Sequence, residues 1–346
     1  MKLAAADPWP GRPNERHETR AGDNSFDKHR HRAIGVSDFL IYTNDCSDGT
    51  DAMLDLLQEK GLVQHRDNPY RETGLRPQHA ALQAAESEPL MRESDWAICM
   101  DVDEFITVHL GDGTLAALYD AMGEANMISL TWRLFGNGGI AAYEDRFVTE
   151  QFTRCAPERI PKPHQAWGFK TLFRNAGLYK KLSVHRPKGL KPDLWDKVLW
   201  LNGSGRPLPR EMFRTGWRSN SATYGYDWVT LNHYAVRSAE SFLVKRDRGR
   251  VNHVDRDQGM TYWFRMNHNL CEDRSALRIV PRARAEFDRL MADPAIRWPP
   301  IGRRSPNCAP KRAMRPSSAS SPAPGWKSSA GCSATSARRS SWPGPR

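Results

Sequence analysis

The chain has 346 residues, of which 39% are hydrophobic and 26% are charged. This length allows one large α/β domain or two small ones, and no apolar run reaches the length of about 18 residues that marks a membrane-spanning helix. The net charge of +11 lies mostly in residues 301–346, which hold nine Lys or Arg and no Asp or Glu. The rest of the chain is nearly neutral, which argues against a nucleic-acid-binding face on the folded body.

The six cysteines are scattered along the chain without a CxxC pair. This pattern favours reduced thiols over a disulfide framework or a zinc site. The N-terminus also lacks the continuous apolar segment of a signal peptide. We therefore expect a cytoplasmic protein.

The two ends of the chain differ in composition from the middle. Residues 1–30 are polar, contain several prolines and show no sustained period, so we predict a disordered head. Residues 301–346 contain 25 Ser, Pro or Ala, which predicts a disordered basic tail. Both compositions are also typical of a GC-rich gene translated in a shifted frame, so we interpret both ends as non-native additions. The folded body is then expected at residues 31–300.

Strands and helices alternate in the first half of the body. Apolar and β-branched runs predict strands at residues 39–42, 63–65, 96–100 and 127–132. Helical spacing predicts helices starting at Thr50 or Asp51, at residues 78–85 and at residues 115–122. Such alternation is the signature of βαβ units with crossover connections.

The second half is less regular and rich in aromatic residues, Pro and Gly. Short strands are predicted at residues 169–173 and 182–185, and a long loop at residues 187–222. Helices are predicted from residue 239 to about 248 and from 282 to 291.

An acidic cluster follows the predicted strand at residues 96–100. Asp101, Asp103 and Glu104 lie together at its end and would repel one another unless a cation or a donor network balanced them. Alternate residues of a strand project to the same side, so Asp101 and Asp103 are expected to face one ion or one diphosphate. Carboxylate oxygens suit Mg²⁺ or Mn²⁺. The alternative is an acidic turn that simply faces water.

A second polar cluster follows the strand at residues 39–42. Asp45, Asp48 and their neighbours would place carboxylates, hydroxyls and helix-start amides beside a bound nucleotide, because ligands of open α/β sheets bind at the carboxyl ends of strands. The same residue types are also typical of an ordinary turn and helix N-cap.

Taken together, residues 41–50, 96–105 and 132–136 resemble a family 2-type glycosyltransferase of the GT-A fold. The resemblance is to the bacterial subgroup that shares the Asp-x-Asp-Glu-Phe signature with the family 92 transferases. Later blocks at residues 169–174, 184–187 and 232–250 are also similar, so the likeness covers roughly residues 32–298. It implies an α/β fold with a mainly parallel, Rossmann-type sheet flanked by helices. Residues 1–30 resemble nothing in the family, so the first strand is expected to be missing or replaced.

The resemblance also implies roles for individual residues. The expected nucleotide-sugar contacts are Asp45, Asp48, Asp101, Lys245 and Arg248. The expected ligands of Mn²⁺ or Mg²⁺ are Asp101, Asp103 and His233, with Asp103 as the direct ligand and a buried, hydrogen-bonded histidine as the alternative reading of His233. An inverting transfer needs a general base, and Glu104, Asp227 and Glu240 are the candidates.

The function implied is transfer of a sugar from a nucleotide sugar, with a UDP-sugar as the expected donor, to a hydroxyl of a glycan or other acceptor, in surface polysaccharide synthesis. One alternative is a phosphatase of the haloacid-dehalogenase kind, although Glu104-Phe105 fits its Asp-x-Asp motif poorly. Another is an inactive protein, or one that binds nucleic acid through its basic tail.

Overall fold

The computed structural model of the protein describes residues 2–6, 28–46, 49–214, 216–248 and 259–296. The strands are β1 (Lys2–Ala6), β2 (Phe39–Thr43), β3 (Gln64–Asp67), β4 (Trp96–Asp101), β5 (Glu104–Val108), β6 (Met127–Leu134), β7 (Arg154–Cys155), β8 (Phe169–Arg174), β9 (Trp200–Leu201), β10 (Val229–His233) and β11 (Cys271–Glu272). The α-helices are α1 (Lys28–Ala33), α2 (Thr50–Glu59), α3 (Tyr70–Thr73), α4 (Pro77–Ala85), α5 (Pro89–Glu93), α6 (Leu115–Met122), α7 (Val148–Gln151), α8 (Ala239–Arg248), α9 (Met260–Met266) and α10 (Val280–Met291). Short 3₁₀ helices lie at Pro192–Lys197, Arg210–Phe213 and Ser275–Ile279.

One large sheet organises the described part of the chain. Its strand order is β3-β2-β1-β4-β8-β6-β10-β5, with β9 also pairing with β6, while β7 and β11 form a separate two-stranded sheet. Strands β3, β2, β1 and β4 are parallel, whereas β8 is antiparallel to both β4 and β6, and β5 is antiparallel to β10. The α/β class is confirmed. The expectation of a mainly parallel Rossmann-type sheet is wrong, because only one side of the sheet is parallel and the other is mixed.

The central position of the parallel half is filled by β1. Its five residues pair in parallel with β2 on one side and with β4 on the other, with Ala4 opposite Ile41 and Met100. The first strand is therefore present, in a segment that does not resemble the family. The prediction that residues 1–30 are disordered is wrong for Lys2–Ala6 and residues 28–30. Residues 7–27 and the predicted tail at 301–346 lie outside the described residues.

Both faces of the sheet are covered by apolar side chains. Along β2, Phe39 and Ile41 belong to a cluster that includes α2, α6 and α10, whereas Leu40 and Tyr42 belong to a cluster on the opposite face that includes α4 and β8. This explains why β2 reads as a continuous apolar run rather than an alternating one. Within the described residues, no helix has the length and apolar character needed to cross a membrane.

Most of the predicted elements are confirmed within a residue or two. Helix α6 spans the predicted residues 115–122, and α8 spans 239–248. The strand predicted at 182–185 is wrong, because this segment lies in turns and bends next to an isolated bridge between Lys181 and Lys188. Strand β5 was not predicted; it begins at Glu104, directly after the acidic turn.

Candidate functional site at the carboxyl edge of the sheet

The acidic cluster lies where several strands end on one edge of the sheet. Strands β1 to β4 run in the same direction, so their carboxyl ends meet there. Strand β4 ends at Asp101 and β5 begins at Glu104, which pairs with His233 at the end of β10. The backbone N–H of Tyr234 donates to the carbonyl oxygen of Asp103, which fixes the turn against β10. The fold therefore gathers predicted site residues from two distant segments.

Asp101 and Asp103 do not lie on one regular strand, because β4 stops at Asp101 and residues 102–103 form a turn. Strand alternation therefore does not apply to this pair. Their carboxylates contact different partners, so the expectation that both project to one side of a strand is not supported by the structure.

The Asp103 carboxylate lies between Lys245 and His233. The Nζ of Lys245, on α8, donates to Oδ2 at 2.8 Å, and Nε2 of His233 lies 3.6 Å from Oδ1. Burial opposes ionisation of Asp103, whose side chain is only 12% exposed, but the Lys245 ammonium and His233 hold its pKa well below the ordinary value. Burial likewise opposes the charge on Lys245, but Asp103 raises the pKa of Lys245. The pair therefore stays ionised at neutral pH.

The Asp101 carboxylate has a separate set of donors. Gln78, on α4, donates from Nε2 to Oδ1 at 2.9 Å, and Lys170, on β8, donates from Nζ to Oδ2 at 3.1 Å. The Lys170 side chain is fully buried, and its Nζ also lies 3.8 Å from Oε2 of Glu104. Burial alone would lower the pKa of Lys170, but Asp101 and Glu104 raise it above the ordinary value. A buried ammonium thus joins two of the three acids.

Glu104 is an interior residue with no exposed surface. Its Oε1 accepts from the indole Nε1 of Trp132 at 2.8 Å, and its Oε2 accepts from the backbone N–H of Asp101 at 2.8 Å. Burial raises the pKa of Glu104 to about 7, although the nearby Lys170 ammonium works in the opposite direction. In this structure Glu104 therefore ties the turn to the ring of Trp132, which itself lies 4.8 Å from the ring of His233.

The other two candidate bases lie in different places. Asp227 is exposed and comes just before β10, so the length of that strand, about 13 Å from Val229 to His233, separates it from the site edge. Glu240 is exposed in the first turn of α8, the helix that carries Lys245, and its Oε2 accepts from the backbone N–H of Tyr143 at 2.7 Å. Of the three candidates, only Glu240 is both exposed and carried by the helix that brings Lys245 to Asp103.

Asp45 lies just after β2, with a positive φ of 55°. Its carboxylate pairs with the guanidinium of Arg71 at 2.6 Å and accepts from the hydroxyl of Tyr70 at 2.6 Å. Burial of Tyr70, followed by this hydrogen bond, raises the pKa of the Tyr70 hydroxyl. Asp48 and the side chain of Arg248 lie outside the described residues, so their predicted roles stay predictions.

Two site residues were not identified as such from the sequence. Lys170 was noticed only as part of a similar block, yet a single lysine inside the run Phe-Lys-Thr-Leu-Phe is a signal for a paired, buried charge. Gln78 carries no such signal. The aromatic residues Trp132, Phe135 and Trp167 could in principle stack on a sugar, but all three are buried and act as anchors of the core.

The donor set at Asp103 suits a divalent cation. Adjacent ligands on an octahedral ion with bonds of about 2.1 Å lie about 3.0 Å apart, so Asp103 Oδ1 and His233 Nε2, which are 3.6 Å apart, would have to move about 0.6 Å closer to bind one ion. Lys245 occupies only Oδ2, and among the described residues Nδ1 of His233 has no hydrogen-bond partner that would fix the tautomer. Within the described residues, no group of three or more His, Cys, Asp or Glu gathers as a metal site. A site with two protein ligands is typical of Mg²⁺ bound partly through substrate phosphates.

One protein-family model matches part of the chain. Residues 29–187, a little under half of the chain and including Asp101 and Asp103, match the family model of glycosyltransferase family 92. This segment is therefore similar to glycosyltransferase family 92. The recognition of the Asp-x-Asp-Glu-Phe signature is thereby confirmed. The family 92 match ends before β10 and α8, so it does not include His233 or Lys245.

Two solved structures of residues 1–349 of TarS from S. aureus are also similar to the chain. The one in complex with UDP has a TM-score of 0.23 and 13% identity, over 42% of this chain and 38% of that one. The other has a TM-score of 0.25 and 13% identity, over 51% of this chain and 48% of that one. The chain therefore spans less than half of either structure, and likeness at this level carries no argument about the ligand. No curated protein sequence matches the chain.

Proposed function

We propose that the protein is a metal-dependent glycosyltransferase that moves a sugar from a nucleotide-sugar donor to an acceptor hydroxyl. The observation that carries the proposal is the Asp103 carboxylate, which lies within the family 92 segment and leaves its Oδ1 beside His233 at the carboxyl edge of the sheet. Ligands of open α/β sheets bind at this edge. A UDP-sugar donor, an inverting outcome and a role in surface polysaccharide synthesis are further parts of the proposal, which rest on the resemblance alone.

In the proposed reaction, the acceptor oxygen forms a bond to the anomeric carbon while the bond from that carbon to the diphosphate oxygen breaks. The electron pair of the broken bond leaves with the nucleoside diphosphate, and the hydroxyl proton passes to a general base. A bound divalent ion would neutralise charge on the departing diphosphate. The residues that would hold it are Asp103 and His233. Lys245 keeps Asp103 ionised, and Gln78 and Lys170 fix the Asp101 carboxylate.

Among the candidate bases, the positions favour Glu240. A base must come within hydrogen-bond reach of the acceptor hydroxyl. Glu104 is fully buried and already bonded to Trp132 and the Asp101 backbone, and Asp227 lies at the other end of β10. Glu240 is exposed on the helix that brings Lys245 to Asp103.

Calorimetric titration of UDP into the full chain, with and without Mn²⁺, tests the donor site. We expect Mn²⁺-dependent binding that is lost in Asp103→Asn and weakened in His233→Gln, a change that leaves the ion pair with Lys245 intact. Asp120→Asn is the matched control, because Asp120 is an exposed residue on α6. Circular dichroism establishes that each variant is folded. Equal affinity of the wild type and a folded Asp103→Asn variant for UDP would contradict the proposal. The same titration with GDP tests which nucleobase the donor carries.

A further inference from the structure

A polar cleft lies beside Asp101 and has a volume of about 420 Å³. It is formed by the start of α4, by residues 183–186 with Lys188, and by Arg214, Gly216 and Trp217. Gln78 lines the cleft and also donates to Asp101, so the cleft borders the proposed site directly. Its size is within the range of small-ligand pockets.

The lining of this cleft is strongly basic. It includes Arg76, Arg186, Lys188 and Arg214 together with His79, and it contains no Asp or Glu. No carboxylate in the described part of the chain forms an ion pair with any of the three arginines or with Lys188. Four positively charged side chains thus line one cleft, and none of them is paired with a carboxylate of the described residues.

Arg186 is the most informative member of this group because it is only 7% exposed. Its Nε donates to the carbonyl oxygen of Gly216 at 3.1 Å, and its Nη1 donates to the carbonyl oxygens of Phe213 and Pro187 at 3.1 and 3.3 Å. Its Nη2 makes no hydrogen bond within the described residues. A buried charge without a partner is costly, and here the guanidinium is held by neutral carbonyls with one nitrogen left over. A bound anion would supply both the missing counter-charge and a hydrogen-bond acceptor for the remaining nitrogen of Arg186.

The cleft and the proposed metal position involve different carboxylates of the Asp101–Glu104 turn. Asp103 is directed to Lys245 and His233, whereas Asp101 contacts Gln78 in the wall of the cleft. Under the proposed function, the donor diphosphate belongs to the Asp103 side. The neighbouring cleft is then left for the second substrate, whose hydroxyl must come close to the transferred sugar.

We infer that the cleft binds the acceptor, and that the acceptor is a sugar or polyol carrying an anionic group, either a phosphate or a carboxylate. The inference rests on the proposed transferase function, and names the substrate class that its acceptor site takes. The anion lies against Arg186, whose planar guanidinium suits the geometry of phosphate and carboxylate oxygens. Lys188 and Arg214 are exposed at the rim, where they add charge.

Calorimetric titration of the full chain with glucose 6-phosphate, glucuronate and glucose tests this inference. We expect the two anionic sugars to bind and glucose to bind at least tenfold more weakly, and the stronger of the two identifies the anion. Lys188→Gln and Arg214→Gln should each weaken binding of the anionic sugars by about tenfold, the scale of one charge-assisted hydrogen bond. Both positions are exposed, so folding is not at risk. Lys191→Gln is the control, because this exposed lysine does not line the cleft.

Competition with UDP separates this inference from the proposed function. Anionic sugars should bind equally well in the presence of saturating UDP and Mn²⁺, and their binding should survive Asp103→Asn. Competition by UDP, together with weaker UDP binding by Lys188→Gln, would overturn the inference and assign the cleft to the donor phosphates. Equal affinity for glucose and the anionic sugars, no binding of any of them, or no effect of the rim variants would also overturn it. If UDP does not bind but the anionic sugars do, the result would contradict the proposed function and not this inference.

Discussion

Replacing Lys170 with Met tests whether the site is held together by its buried ammonium. At an effective dielectric constant of about 20, a charge pair at the 3.1 Å separation from Asp101 is worth about 5 kcal/mol, and one at the 3.8 Å separation from Glu104 about 4 kcal/mol. Solvent screens the first pair, because Asp101 is 36% exposed. Desolvation of the ions offsets several kcal/mol of the total. Removing one partner of a buried ion pair typically costs about 3–5 kcal/mol. We therefore expect the Lys170→Met variant to lose about that much free energy of unfolding.

The loss should depend on pH because Glu104 titrates near neutrality. Its pKa in the folded protein is raised to about 7, so its contribution to stability is complete below the unfolded pKa of about 4.5 and is lost as the pH rises through about 7. Removing Lys170 raises this pKa further. The Lys170→Met variant should therefore be more destabilised, relative to the wild type, at pH 8.5 than at pH 5.5.

Urea-induced unfolding followed by circular dichroism at both pH values measures these differences. The double variant Lys170→Met/Glu104→Gln should be more stable than the sum of the two single changes implies, because the buried carboxylate that lost its partner is also removed. Lys191→Met, at an exposed position, is the control for the loss of one lysine. A loss below about 0.5 kcal/mol, or the same loss at both pH values, would refute the reasoning.

Gly168→Ala should cost about 1–3 kcal/mol in unfolding free energy, since an added Cβ would lie 2.4 Å from ring atoms of the buried Trp132; an unchanged urea midpoint would mean that the ring has room to move. Arg71→Gln should change the unfolding free energy by less than about 1 kcal/mol because its pair with Asp45 is exposed, and a larger loss would make that pair structural. Ala4→Pro should destabilise by about 3 kcal/mol or more in the same assay, as proline removes a backbone donor from a strand paired on both sides; a stable variant would contradict the central position of β1.

Local patterns predicted the elements that build the edge of the site. The run before Asp101 predicted β4 because a short apolar segment that ends abruptly in acids has few other readings, and helical spacing located α2, α4 and α6. Strand β5 was missed although Phe105, Ile106 and Val108 favour a strand; only a two-residue turn separates it from β4.

Strand β1 was missed for a different reason. The segment Lys-Leu-Ala-Ala-Ala has no β-branched or aromatic residue, and alanine is depleted in strands. What places it is backbone pairing with β2 and β4, which depends on where those two strands lie and not on side chains that a sequence pattern reports. Propensity is a weak guide to a central strand whose two neighbours supply all of its hydrogen bonds.

The charge balance of the site is set by contacts that span long stretches of chain. Lys170 lies 69 positions from Asp101, and Lys245 lies 142 positions from Asp103. From the sequence, the acidic cluster at residues 101–104 requires either a cation or a donor network, and in the fold two lysines supply much of that network. The two lysines also affect how the proposed diphosphate substrate would be received. A turn of three uncompensated carboxylates would repel a diphosphate, whereas the two buried ammonium groups reduce that repulsion and hold the acids in place. Under the proposed function, a divalent ion at Asp103 would add positive charge to this partly neutralised turn, so that the edge as a whole would attract a polyanionic donor.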